Sequence, residues 1–122
     1  MAIASDIMVG GFSAQSAKAI NGQVHSALSA AGTTIATATG LRASINVLST
    51  VSASTGVQLP SAEIGDEVEI LNLGANAVTV YPDSSSNSIN ALSAGSGFLL
   101  ATNTAVKLRK YTSSKWMGFL SA

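Results

Sequence analysis

Cysteine is absent from the 122-residue chain, which excludes disulfides, zinc–thiolate sites and thiol nucleophiles. Charge is scarce as well. Charged residues make up 10% of the chain, against about 25% in an average soluble domain, and six acids balance six bases. A chain with neither sign in excess sets up no field for nucleic acid or for an acidic membrane surface, so neither is expected as a partner. No apolar run reaches the ~18 residues that a membrane-spanning helix needs. The opening Met1-Ala2-Ile3-Ala4-Ser5-Asp6 has neither the basic stretch nor the long apolar run of a secretory signal, and synthesis in a cytoplasm is expected. The glycine patterns of phosphate-binding and dinucleotide-binding loops are missing, as is the G-x-S-x-G of a nucleophile elbow.

Small residues are what the chain has in quantity: 20 Ala, 19 Ser and 10 Thr. A disordered linker is one source of such a bias. It is excluded here because hydrophobic residues reach 47% and mean hydropathy is +0.40, whereas a disordered chain is poor in apolar residues and rich in charge. The composition fits a single folded domain with a sparsely charged surface, part of it covered by partner subunits.

The pattern changes along the chain. Residues 1–22 carry Ile3, Ile7, Met8, Val9 and Phe12 without a period that would bury them, broken by Gly10-Gly11. A two-turn helix from Ser13 to Ile20, stopped by Asn21-Gly22, is marginal on its own. This stretch is expected to be an N-terminal arm, extended or short-helical, whose apolar residues bind a partner. Residues 23–122 are expected to form a β-domain. Thr33 to Gly40 is rich in β-branched residues, and Ser44 to Val51 places Ile45, Val47 and Val51 on one face at period two. Val57-Gln58-Leu59 is a short strand closed by Pro60. Glu67 to Ile70 alternates strictly, Gly74-Ala75-Asn76 reads as a turn, and Ala77 to Tyr81 reads as the returning partner strand of a hairpin. Pro82 to Asn90 is a Ser/Asn loop. Phe98–Leu100, Ala105–Arg109 and Trp116–Leu120 follow, with a turn at Ser113-Ser114. Short strands with turn signals between them predict an all-β fold, a small antiparallel sandwich or barrel-like domain with the N-terminal extended or short-helical arm attached.

Four acids fall within Glu63–Glu69, the densest chemistry in the sequence. Alternation points Val68 and Ile70 one way and Glu67 and Glu69 the other, onto the wet face of a strand. The spaced Asp/Asn, Gly and closing Glu of a calcium loop are not there. Lys107 and Arg109 have the same spacing around Leu108, and the two charge ladders are expected to lie near each other, in neighbouring strands or across a subunit boundary. His25 is the single histidine and is assigned to the surface or the core edge. Gly95-Ser96-Gly97 is assigned to a turn. Trp116 is read as a core anchor rather than a sugar-stacking platform, and Tyr81 is divided between packing and surface contact. No catalytic, metal or cofactor residue is assigned, and the chain is not expected to be an enzyme.

Gly56-Val57-Gln58-Leu59-Pro60, Gly65 before an alternating strand, Asn72 and Gly74, Val80-Tyr81-Pro82, Ile89-Asn90 and Trp116 together carry a resemblance. Over residues 56–116 the chain resembles a small β-module of tailed-bacteriophage virion proteins: head fibres, capsid decoration (cement) proteins and some tail-fibre segments. The resemblance implies a structural virion protein, commonly a homotrimer. The chain opens at Met1 and is short for a fibre with shaft, anchor and receptor-binding parts, so decoration is the expected role. The implied partner is the major capsid protein, and the implied place is the capsid surface. The alternatives are a tail-fibre or receptor-binding module that recognises host polysaccharide through Tyr81, Trp116 and the Pro82–Asn90 loop, and a cellular carbohydrate-binding domain of the same fold class.

Overall fold

The computed structural model describes residues 24–121. The helix-forming stretch at 13–20 and the arm residues Ile3, Ile7, Met8, Val9 and Phe12 lie outside them. Ten strands run in the order β1 (Val24–Ser29), β2 (Thr39–Gly40), β3 (Ile45–Thr50), β4 (Gly56–Gln58), β5 (Glu67–Asn72), β6 (Val78–Tyr81), β7 (Ser88–Ile89), β8 (Phe98–Leu100), β9 (Thr104–Thr112) and β10 (Lys115–Leu120). They form a six-stranded sheet, β1-β3-β5-β9-β10-β7, and a four-stranded sheet, β2-β4-β6-β8. The all-β architecture is as the turn spacing predicts.

The sheets are mixed rather than antiparallel. From β1 to β8 the chain alternates between them, so β1, β3 and β5 run parallel in one sheet and β2, β4 and β6 run parallel in the other. A parallel pair needs a crossover. Here the crossover is the short strand of the opposite sheet, so the first six strands form a flattened coil. Antiparallel pairing closes it, β9 against β5 and β10, and β8 against β6. The expected hairpin at Gly74–Asn76 is therefore a crossing between sheets. Asn72 turns the chain there. Its fully buried amide donates to the carbonyls of Asn76 and Leu100, both at 2.9 Å, and its Oδ1 accepts from Gly74 N at 3.0 Å. Gly74 lies so close to Val51 that an added Cβ would fall 2.6 Å from Val51 Cγ2.

The core lies between the sheets. Leu48, Ile70, Leu108, Ile89 and Trp116 of the larger sheet meet Val57, Val78, Val80 and Leu100 of the smaller, all fully buried. The phase of β3 is opposite to the one its apolar residues suggest. Asn46 and Leu48 face the core, while Ile45 and Val47 are half-buried on the outer face. Asn46 is held in the interior through its Nδ2, which donates to the carbonyls of Ala43 and Glu69, while its Oδ1 is buried without a hydrogen-bond partner among the described residues. Val51 is buried, but beyond the end of the strand. In the β-branched stretch only Thr39–Gly40 pairs as strand. Thr34 and Thr37 instead bond each other side chain to side chain and close a turn.

Among the described residues β1 is an edge strand, exposed over most of its length. Its register with β3 shifts on either side of Leu28, and Ala27 takes φ +59, a conformation disfavoured for a residue with a Cβ. Such an irregularity breaks the row of backbone groups that a foreign strand would pair with.

Candidate functional site

The acidic stretch resolves into structural contacts. Glu67 stands opposite Arg109 and Glu69 opposite Lys107 across the β5–β9 ladder, as the matched spacing predicts. Glu67 and Arg109 form an ion pair of 2.9 Å, with both side chains about half exposed. Asp66 caps a tight turn, its Oδ2 accepting the Glu63 N–H at 2.9 Å, and Gly65 in that turn has φ +98. Among the described residues no three His, Asp or Glu side chains gather where they would hold a metal ion. His25 is exposed on the edge strand β1. Gly95 and Gly97 belong to a turn entering β8, where Gly95 has φ +77.

Trp116 is fully buried, a core anchor, and its ring is closed to solvent. Tyr81 is half-buried on the outer face of the smaller sheet. Its ring lies against Gly56 and Gly97, where an added Cβ would come within 2.7 Å and 3.1 Å of ring atoms. Its hydroxyl donates to the Thr33 carbonyl at 3.0 Å. A shallow groove beside it is bordered by Ser54, Asn76, Thr79 and Leu99.

The most organised polar cluster involves a residue that the sequence reading passed over. Asp83 follows Pro82 in the loop between β6 and β7. Its Oδ2 is 2.7 Å from Lys110 Nζ, and the two side chains are 6% and 8% exposed. Its Oδ1 accepts from Trp116 Nε1 at 3.0 Å and from Asn87 Nδ2 at 2.7 Å. Lys110 also donates to the Ala62 carbonyl at 2.9 Å and lies 5.8 Å from the centre of the Trp116 ring. Gln58 donates to the Asp83 carbonyl at 3.2 Å. Burial by itself would raise the Asp83 pKa. The hydrogen bonds from Asn87, Lys110 and Trp116, together with the Lys110 charge, outweigh burial and hold the carboxyl below its ordinary value. Every polar atom of the carboxylate has a partner, as a buried charge requires. The cluster ties β4, the 60–66 loop, the 82–87 loop, β9 and β10 together, and its chemistry is that of a lock.

One signal for Lys110 was present in the sequence. Period two from Val106 and Leu108 puts Lys110 on the inward face, and an inward lysine calls for a buried carboxylate. Nothing in the sequence says which of the six acids it is.

Elsewhere the described surface is notably apolar. Ile64, Leu99, Phe119 and Leu120 are each more than 60% exposed, and Tyr111 and Met117 more than 40%. An apolar cleft of about 410 Å³ opens between the sheets at the β8–β10 side, lined by Leu92, Phe98, Leu99 and Leu120. Beyond Trp116 the outer edge of β10 is unpaired by strand β7, and Gly118 N donates instead to Asn90 Oδ1 at 2.9 Å. Among the described residues no helix is long and apolar enough to cross a membrane. No family model, curated protein or solved structure matches this chain.

Proposed function

We propose that the chain is a non-enzymatic structural virion protein that decorates a bacteriophage capsid and stabilises it by binding between subunits of the major capsid protein. The observation that carries this reading is the contrast between interior and surface. Among the described residues the buried ionisable side chains, Asp83 and Lys110, are paired with each other, while large apolar side chains stand exposed on a scaffold with few charges. Exposed apolar area of this kind marks a docking surface. Gln58, Pro82 and Trp116, three of the positions that carry the resemblance, meet at or beside Asp83 and hold the fold. Binding is the whole mechanism. Each copy adds buried interface between capsid subunits and opposes the pressure of packaged nucleic acid, with Ile3, Ile7, Met8, Val9 and Phe12 as the docking residues of the arm. Self-association covers further apolar surface; the resemblance implies a homotrimer, and sedimentation of the isolated protein decides between that and a two-fold pair.

Purified protein mixed with undecorated capsids should bind saturably, and deletion of residues 2–12 should weaken binding while leaving the fold intact. Binding to a glycan array without capsid binding would replace decoration by the receptor-binding reading. The buried Trp116 ring removes the sugar platform that reading would need most, and leaves it Tyr81 and its groove.

A further inference from the structure

The outer face of the six-stranded sheet has an order that a solvated face does not require. Glu67 and Glu69 form an acidic column on β5, and Arg109 and Lys107 form a basic column on the neighbouring β9. Apolar side chains flank the columns. Ile45 of β3 pairs with Glu69 on one side, and Phe119 of β10 pairs with Lys107 on the other. One row across the sheet therefore reads Ile45, Glu69, Lys107, Phe119. The next rows add Met117 beside Arg109 and Val47 beside Leu71. Phe119 is 64% and Met117 41% exposed.

We propose that this face is a self-association surface whose occupant is the same face of a second copy. Symmetry and charge select the arrangement. A two-fold axis parallel to the strands, running between β5 and β9, turns a second copy face to face and exchanges the two columns. Each Glu67 and Glu69 then lies over Arg109 and Lys107 of the other copy, and each Ile45 lies over a Phe119. The in-plane two-fold at right angles stacks acids on acids and bases on bases, which is repulsive. Aligned sheets pack at about 30° to each other, which displaces outer rows more than columns beside the axis, so the charges keep their register. At ~4.8 Å between strands and ~3.4 Å per residue, β1 to β10 presents roughly 400 Å² of plan area per copy, so the contact belongs to the small, concentration-dependent class. The apolar flanks supply affinity, and the columns supply orientation and partner choice. The inference goes beyond capsid decoration and does not depend on it: it concerns the isolated protein, and capsid binding is read separately.

The test is sedimentation of the full chain across a concentration series. Wild type should associate in a two-fold step that weakens with salt. The variant K107E/R109E, whose columns are all acidic, should be a monomer, and so should E67K/E69K, whose columns are all basic. Mixed, the two should form a heterodimer about tenfold tighter or more than either self-associates, since like charges face each other only in the homodimers. The fourfold variant E67K/E69K/K107E/R109E restores opposite columns within and between copies and should dimerise like wild type. It covers the case in which a double variant folds poorly. A wild-type monomer at the highest concentration, a trimer unaffected by the reversals, or a mixture with no heterodimer overturns the proposal.

Discussion

Replacing Lys110 by Met is the sharpest test of the lock. Met keeps most of the aliphatic length and packs in the same space, so the perturbation is close to the loss of one charge and its donors. Two acceptors lose a partner, Asp83 Oδ2 and the Ala62 carbonyl. The Asp83 carboxylate, with its side chain 6% exposed, keeps donors only on Oδ1, from Asn87 and Trp116. Breaking a buried pair from one side costs about 3–5 kcal/mol, and the surviving bonds place Lys110→Met at the lower end, about 3 kcal/mol. For a domain of this size that lowers Tm by on the order of 12–20 °C. Asp83→Asn combined with Lys110→Met removes both charges and should cost less than the two single changes added together, because no uncompensated ion remains. Denaturant unfolding of wild type, both single variants and the double variant gives the coupling directly. A Lys110→Met loss below about 1 kcal/mol, or strict additivity in the cycle, would refute the account of a shared buried charge pair.

The same lock gives a pH dependence. The folded Asp83 pKa lies below its ordinary 3.8, so its contribution is fully present above that value and is lost as pH falls through the folded value. Wild type should lose more stability than Asp83→Asn over that acid window in parallel melts, and matching profiles would count against it. Asn72→Ala strips partners from the carbonyls of Asn76 and Leu100 and from Gly74 N, and should cost roughly 3 kcal/mol by chemical denaturation, since unpaired buried groups cost about 1–3 kcal/mol each and some relax towards solvent. Gly97→Ala places a Cβ 2.6 Å from Thr79 Cγ2 and 2.7 Å from the Val80 carbonyl oxygen, a backbone atom that does not yield easily. It should lower stability by about 1–3 kcal/mol, whereas Gly40→Ala, which meets nothing within 4 Å, should not destabilise by crowding.

Local alternation determined a good deal of this protein. Glu67 and Glu69 had to face water because Val68 and Ile70 could not, and the matched spacing in Lys107 and Arg109 pointed to a nearby partner ladder, which the fold places in the adjacent strand β9. A lone tryptophan in a chain with few aromatics is expected in the core on scarcity rather than on alternation, and it is fully buried there. Three features were decided only in three dimensions. Strand direction was one: Gly74-Ala75-Asn76 has the composition of a hairpin turn, but Asn72 bonds across to Leu100 and sends Ala77–Tyr81 into the other sheet. The phase of β3 was another. Counting apolar residues favours Ile45 and Val47, yet the inner face carries Asn46 and Leu48, with the Asn46 Nδ2 donating to the carbonyls of Ala43 and Glu69 and its Oδ1 buried without a partner among the described residues. The third was the partner of Lys110. Its period placed it inside, but the carboxylate that meets it lies 27 residues earlier in a loop rich in Ser and Asn, where nothing local distinguishes Asp83 from a solvated acid. Alternation is a property of neighbours along the chain, whereas the compensation of a buried polar group is a property of neighbours in space.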